Sequence, residues 1–148
     1  MDELSAALKI VLSNTFVIYQ KAQIYHWNVE GPMFAQYHDF FADIYGELLP
    51  AIDIAAEQMR TLDTYAPFSI LDMVDSSTIK EDHAHTNKVS QMLNNLLRDN
   101  EEVIRSLDKA FSLAEKQNKQ GLMDFFAARL DAHAKHNWMI KAHTVSGD

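Results

Sequence analysis

Residues 34–62 read FAQYHDFFADIYGELLPAIDIAAEQMRTL, and this stretch decides the fold. Phe34, Tyr37, Phe41, Ile44, Leu48, Ile52, Ala55, Met59 and Leu62 recur in steps of three and four. That is the apolar stripe of one long helix packed in a bundle. A second face of the same helix carries His38, Ala42, Gly46, Leu49, Asp53, Ala56 and Glu57. Its small residues allow another backbone to come close, and carboxylates covered in that way need partners. Pro50 removes the hydrogen bond to Gly46, so a kink or a split is expected there.

Upstream, Ala7, Leu8, Val11, Leu12, Thr15, Ile18, Tyr19 and Ala22 follow the same period from Leu4 onward, with Asp2 and Glu3 suiting the positive end of the helix. Ile10, Val17 and Ile24 lie off that stripe and require cover from the fold or from a partner. Gly31-Pro32 ends this first helix, and the second is expected to start near Met33. Residues 63–86 hold Pro67, a serine pair at 76 and 77, and a short helix predicted over Ser69–Val74. A connection this long implies a crossover that returns the chain to the other end of a bundle. Val89, Leu93, Leu96, Val103, Leu107, Ala110 and Ala114 mark a third long helix, interrupted by polar Asn100. A fourth follows Gly121 through Leu122, Phe126, Leu130 and Ala134, the apolar pattern ending at Trp138 and Met139 before the polar stretch Thr144 to Asp148. The predicted class is all-α: a four-helix bundle with a short extra helix in the crossover between the second and third helices. Residues 1–148 read as one domain without internal repeats.

Composition narrows the chemistry. Cysteine is absent, which removes disulfides, thiolate zinc and iron–sulfur clusters and leaves nitrogen and oxygen as the metal ligands. Four glycines and three prolines disfavour a turn-rich β architecture. No apolar run reaches the length of a membrane span, and the opening Met-Asp-Glu-Leu lacks the features of a signal peptide, so a cytoplasmic protein is expected. With 21 acidic against 13 basic residues the net charge is −8, which opposes binding to phosphate backbones. The seven methionines are scattered; core filling explains the internal ones better than a soft copper site.

The candidate site is His26, His38, Asp53 and Glu57. Asp53 and Glu57 stand four residues apart on one helix face, either a solvated acidic face relieved by Arg60 or a pair whose repulsion a hard cation would offset. His26 and His38, each alone, read as ordinary hydrogen-bonded histidines. In combination, neutral imidazoles and carboxylates suit non-haem iron. Fifteen residues separate His38 from Asp53, roughly 22 Å along a helix but only about 60° around its axis. One copy of the chain cannot close such a site. An antiparallel second copy across a two-fold axis would set His26 and His38 of one subunit against Asp53 and Glu57 of the other. Trp27 reads as a packing residue with a second role as an electron donor beside the metal. His83 with His85, and His133 with His136 near Asp131, read as ordinary histidines.

The segments Tyr25-His26-Trp27-Asn28-Val29-Glu30-Gly31-Pro32-Met33-Phe34, Tyr37-His38 and Asp53-Ile54-Ala55-Ala56-Glu57 resemble the signature of the Dps proteins, or mini-ferritins. Lys135-His136-Asn137-Trp138-Met139 is similar to that family's C-terminal segment. The resemblance implies a ferritin-like four-helix bundle, assembled as a hollow shell of twelve subunits. It also implies ferroxidase centres at two-fold interfaces, iron(II) oxidised preferentially by hydrogen peroxide, and ferric mineral stored inside. On this chain His26, Asp53 and Glu57 would hold a first iron, with His38 and Glu57 serving a second. Family pores are lined by acids near the start of the last helix, for which Glu115, Asp124 and Asp131 are the candidates.

Two departures qualify what the family implies. Members usually carry Asp four residues after the second His, where this chain has Ala42, so the second iron position is thinly held. Members that condense DNA often use a lysine-rich tail, whereas this chain opens Met1-Asp2-Glu3 and closes Ser146-Gly147-Asp148; DNA binding is therefore not expected. The alternative is a Dps-like shell acting mainly as a DNA-protecting binding protein with weak or no ferroxidase activity. A third reading is a structural bundle whose polar strip only hydrogen-bonds across a dimer.

Overall fold

The computed structural model describes residues 1–86 and 88–145. Five helices follow one another: α1 (Glu3–Asn28), α2 (Phe34–Thr61), α3 (Ile70–Ser76), α4 (Val89–Lys116) and α5 (Gln120–Thr144). The long helices pair as α1 with α2 and α4 with α5, α1 also packs on α4, and the short α3 lies against α1. No strand occurs among the described residues.

Several boundaries have a local cause. Asp2 caps α1, its carboxylate accepting the Ser5 N–H at 2.8 Å, which satisfies one of the orphan donors of the first turn. Ser69 caps α3 in the same way, accepting from the Asp72 N–H. The short helix thus begins one residue later than its predicted start and runs two residues beyond its predicted end. α5 begins at Gln120 and takes Gly121 into its first turn; the glycine does not mark the boundary. The Gly31 turn between α1 and α2 has φ of +121°, a conformation that only glycine takes without strain.

Pro50 neither splits nor ends α2, which runs unbroken on both sides of it. The ring is exposed. The stripe predicted for this helix forms much of the core: Phe41, Ile44, Leu48, Ala55 and Met59 are buried. They meet Leu8, Leu12 and Ile18 of α1, Met92, Leu96 and Val103 of α4, and Phe126 of α5.

The off-stripe residues of α1 divide between two environments. Val17 is buried, while Ile24 remains exposed. Much of this cover comes from the crossover, which polar bonds sew along α1. Lys9 pairs with Asp72 at 2.9 Å. The Asn14 amide oxygen accepts from the Ser77 hydroxyl at 2.7 Å and from the Thr78 N–H at 2.8 Å. Lys21, itself buried, donates to the Lys80 carbonyl at 2.7 Å and pairs with buried Asp99 of α4 at 2.6 Å. Anchors of this kind hold a connection in which the large apolar side chains Tyr65, Phe68, Ile70 and Leu71 stay exposed.

Candidate metal centre

His26 lies in the last turn of α1 and His38 in the second turn of α2. The Gly31 turn folds the two helix ends back on each other. The imidazoles stack with centroids 3.7 Å apart and planes at 18°. Each then binds the other residue's main chain: His26 Nδ1 donates to the His38 carbonyl, and His38 Nδ1 to the His26 carbonyl, both at 2.7 Å. A carbonyl oxygen only accepts, so both Nδ1 atoms carry the proton. The lone pair of each neutral ring is therefore at Nε2, with ring orientation and tautomer set before any ion arrives. This is how the outer hydrogen bond of a ligating histidine works. Phe34 extends the stack, its ring centroid 5.0 Å from that of His38, and Tyr45 stands edge-on to His26 at 5.3 Å.

The carboxylate pair is elsewhere on α2. Asp53 and Glu57 are both exposed, and a hydrogen bond shared with Asp53, together with its charge, raises the pKa of Glu57. Two carboxylates held side by side repel each other, and a bound cation would offset that repulsion. The helix is continuous from His38 to Asp53, so about 22 Å of rise lies between the two halves. Among the described residues, no three His, Asp or Glu side chains gather in a metal-holding group. The strip that joins the halves is open: Gly46, Leu49, Asp53 and Glu57 are exposed, and Ala42 and Ala56 are half-buried. Arg60 does not relieve the acidic pair by a salt bridge; it lies over the Tyr65 ring at 4.2 Å.

Several expectations need correction. Trp27 is 59% exposed, so its indole is not a packing residue of this chain. Met33 and Trp138 are exposed as well. His133 and His136, read as ordinary histidines, are both buried and bonded within the fold, while Asp131 is exposed. The carboxylate nearest His136 is Glu47 of α2. Arg129 grips Glu47 through two bonds at 2.6 and 2.8 Å, and His136 Nε2 lies 3.3 Å from it. His133 Nδ1 donates to the Asn100 amide oxygen at 2.7 Å, and the Asn100 amide donates back to the His133 carbonyl at 2.9 Å.

Asn100 is therefore a buried partner and not an interruption of the α4 stripe. A polar residue every three or four positions on an otherwise apolar α5 face was the sequence signal for this network, but its partners lie on other helices. Glu115, Asp124 and Asp131, the candidates for the iron passage, are all exposed near the α4–α5 turn and along α5.

A family model described as Ferritin-like domain matches residues 5–146. An uncharacterized low temperature-induced protein of Nostoc sp. is 30% identical over 132 residues, 88% of this chain and 74% of the relative. The Dps of Thermosynechococcus elongatus superposes with a TM-score of 0.94 at 25% identity, covering 99% of this chain and 92% of that one. A Vibrio cholerae Dps protein, described as a member of a broad superfamily of ferritin-like diiron-carboxylate proteins, superposes with a TM-score of 0.91 at 26% identity, covering 97% and 89%. With the bundle, the short crossover helix and these likenesses together, the chain belongs to the ferritin-like family, as a member of its Dps branch.

Proposed function

We propose that this protein is a ferroxidase and iron-storage mini-ferritin. Iron(II) is its substrate, bound between the His26 and His38 of one subunit and the Asp53 and Glu57 of a two-fold neighbour. Hydrogen peroxide, or dioxygen, takes the electrons, and ferric mineral collects inside a cytoplasmic shell of twelve copies. The observation that carries this reading is the reciprocal Nδ1–carbonyl lock, which leaves two Nε2 lone pairs preset on stacked rings. Histidines serving only the fold have no need to keep both outer nitrogens free and partly exposed.

The same geometry supports the assembly. The open strip of small residues on α2 accommodates an antiparallel copy, and that copy would bring its carboxylates to the imidazoles while covering Leu49 and Ile54. His26, Asp53 and Glu57 supply one nitrogen and two carboxylates to an iron, a donor set suited to a metal that changes valence. Exposed Glu115, Asp124 and Asp131 would draw cations toward a passage into the cavity.

Anaerobic protein given iron(II) and then peroxide should develop ferric absorbance faster than buffer does. An Asp53→Ala/Glu57→Ala variant should slow this by at least about tenfold, the scale on which even outer-shell changes act at metal sites. An unchanged rate in a correctly assembled variant would remove the site.

A further inference from the structure

Ile24, which the fold leaves exposed on α1, lines a cavity of about 480 Å³ between α1, α3 and residues 81–86 of the connection. Phe16 and Val17 of α1 and Ile70 and Val74 of α3 complete its apolar sides. Glu81 and Asp82 lie on the connection side, and Gln20 and Asn28 add amides from α1. Small-molecule sites run to about 300–1,000 Å³ and combine apolar walls with a few polar groups in this way. Ile24 and Asn28 stand about 160° round the helix from His26, so an occupant of the cavity leaves the iron ligands free.

The polar groups determine what kind of molecule fits. An ammonium has three donors, and Lys21 spends them on the Lys80 carbonyl, Asp82 and Asp99. The Tyr25 hydroxyl donates to Asp82 and accepts from the Asn95 amide. Gln20 donates to Gln23 and Asn28 to the Ile24 carbonyl, which leaves the amide oxygens of both open to a donor. Glu81 is exposed and enters no ion pair among the described residues. His83 and His85 also line the cavity, and an imidazole can donate or accept. Of the fixed charges in the lining, Glu81 and Asp82 outnumber Lys21, on a chain whose net charge is −8. An anion entering here meets two carboxylates and an ammonium that is already spent.

We propose that this cavity is a binding site for a small organic cation, an ammonium group carried on an apolar or aromatic body. The body lies against Phe16, Val17 and Val74, and the ammonium turns to the carboxylates of Glu81 and Asp82. Aromatic Phe16 suits a cation as well as its apolar body. The polar rim sets this site apart from surface that a second copy would cover, because the exposed apolar side chains of Tyr65, Phe68 and Leu71 lie outside the cavity.

The test uses three probes that share one apolar body and differ in the head group: phenethylammonium, 2-phenylethanol and phenylacetate. Each is titrated into the assembled, metal-free native protein at neutral pH and low salt, and binding is read by calorimetry and saturation-transfer NMR. Phenethylammonium is expected to bind with a Kd of about 1 mM or tighter. The alcohol should bind about two- to fivefold more weakly, the scale of a solvent-exposed charge pair, and phenylacetate not measurably. Glu81→Gln should remove most of the advantage of the ammonium over the alcohol, and added salt should reduce it too. Ile24→Trp, which sets an indole at an exposed edge of the cavity, should weaken both by at least about tenfold.

Phenylacetate binding as tightly as phenethylammonium would overturn the proposal, and so would binding of the ammonium that Ile24→Trp leaves intact. No binding of phenethylammonium to the assembled protein would do the same, including the case in which dissociated chains bind it, since a second copy would then be the occupant. Should Ile24→Trp not assemble, the order of the three probes on native protein decides. None of these outcomes depends on iron oxidation, so the site stands or falls apart from the ferroxidase reading.

Discussion

At the scale of single residues, the chain spends its polar groups on a few exacting positions. Lys21 is the clearest. It is 4% exposed, pairs with Asp99 at 2.6 Å and Asp82 at 3.2 Å, and donates to the Lys80 carbonyl. Asp82 also accepts the Tyr25 hydroxyl, and burial first, with that bond second, pushes the Tyr25 phenol far above its ordinary value. Tyr25 remains a neutral hydrogen-bond donor at all physiological pH. Removing one partner of a buried pair leaves the other charge uncompensated, at about 3–5 kcal/mol. Arg98 still reaches Asp99 at 3.0 Å, so Lys21→Met should cost near the lower end, about 3 kcal/mol, in urea denaturation of the unassembled chain. A loss under about 1 kcal/mol would show that the ammonium does not hold the crossover.

The element scale is dominated by α5 and what its polar face meets. Burial, then Arg129 and His136, keeps His133 well below the ordinary histidine value of 6.5. Burial lowers His136 too; Glu47 opposes this, while Arg129 and Lys135 add to it. Both rings are thus neutral in the fold and free to protonate in the unfolded chain. A folded-state pKa below the unfolded one means that the unfolded chain takes up more protons as pH falls through 6.5, so stability is full above that pH and declines beneath it.

Carboxylates held low stabilise the fold at neutral pH and lose that contribution only further down. Partial burial opposes the shift at Glu102, but bonds from Thr78 and Arg105 prevail; Lys9 lowers Asp72. Their contributions fade below 4.5 and 3.8, the unfolded values. Thermal melting of the metal-free protein should therefore show its first decline between pH 6.5 and 5. A melting temperature flat to pH 5 would contradict the neutral-histidine account of α5.

At the scale of the whole molecule, charge and exposed apolar surface act together. One chain carries −8, so a twelve-copy particle carries roughly twelve times that and should repel phosphate backbones. Tyr65, Phe68, Ile70 and Leu71 are exposed in the single chain, as are Leu49 and Ile54 on α2. Apolar area of this extent is characteristic of an interaction surface. Light scattering should give about twelve times 16.9 kDa, and a gel shift at low salt should show no retained DNA. A mass near one or two chains would favour the dimeric structural bundle. Retained DNA would favour a shell that protects nucleic acid physically.

The sequence by itself determined the class of fold, the four long helices, the crossover with its short helix and the candidate quartet. Apolar residues at steps of three and four record which face of a helix is buried, Gly31-Pro32 records where a helix must stop, and an N-cap serine records where one starts; these are local properties, written in the order of the chain. Pro50 shows the limit of local rules, since the packed stripe of α2 holds the helix together across a residue that would break it alone. The tertiary structure decided the tautomers of His26 and His38, the placing of Tyr45 on His26, and the Glu47–Arg129–His133–Asn100 network. Each depends on a distance between two packed helices. No periodicity encodes such a distance, because it is set by how two packed surfaces meet.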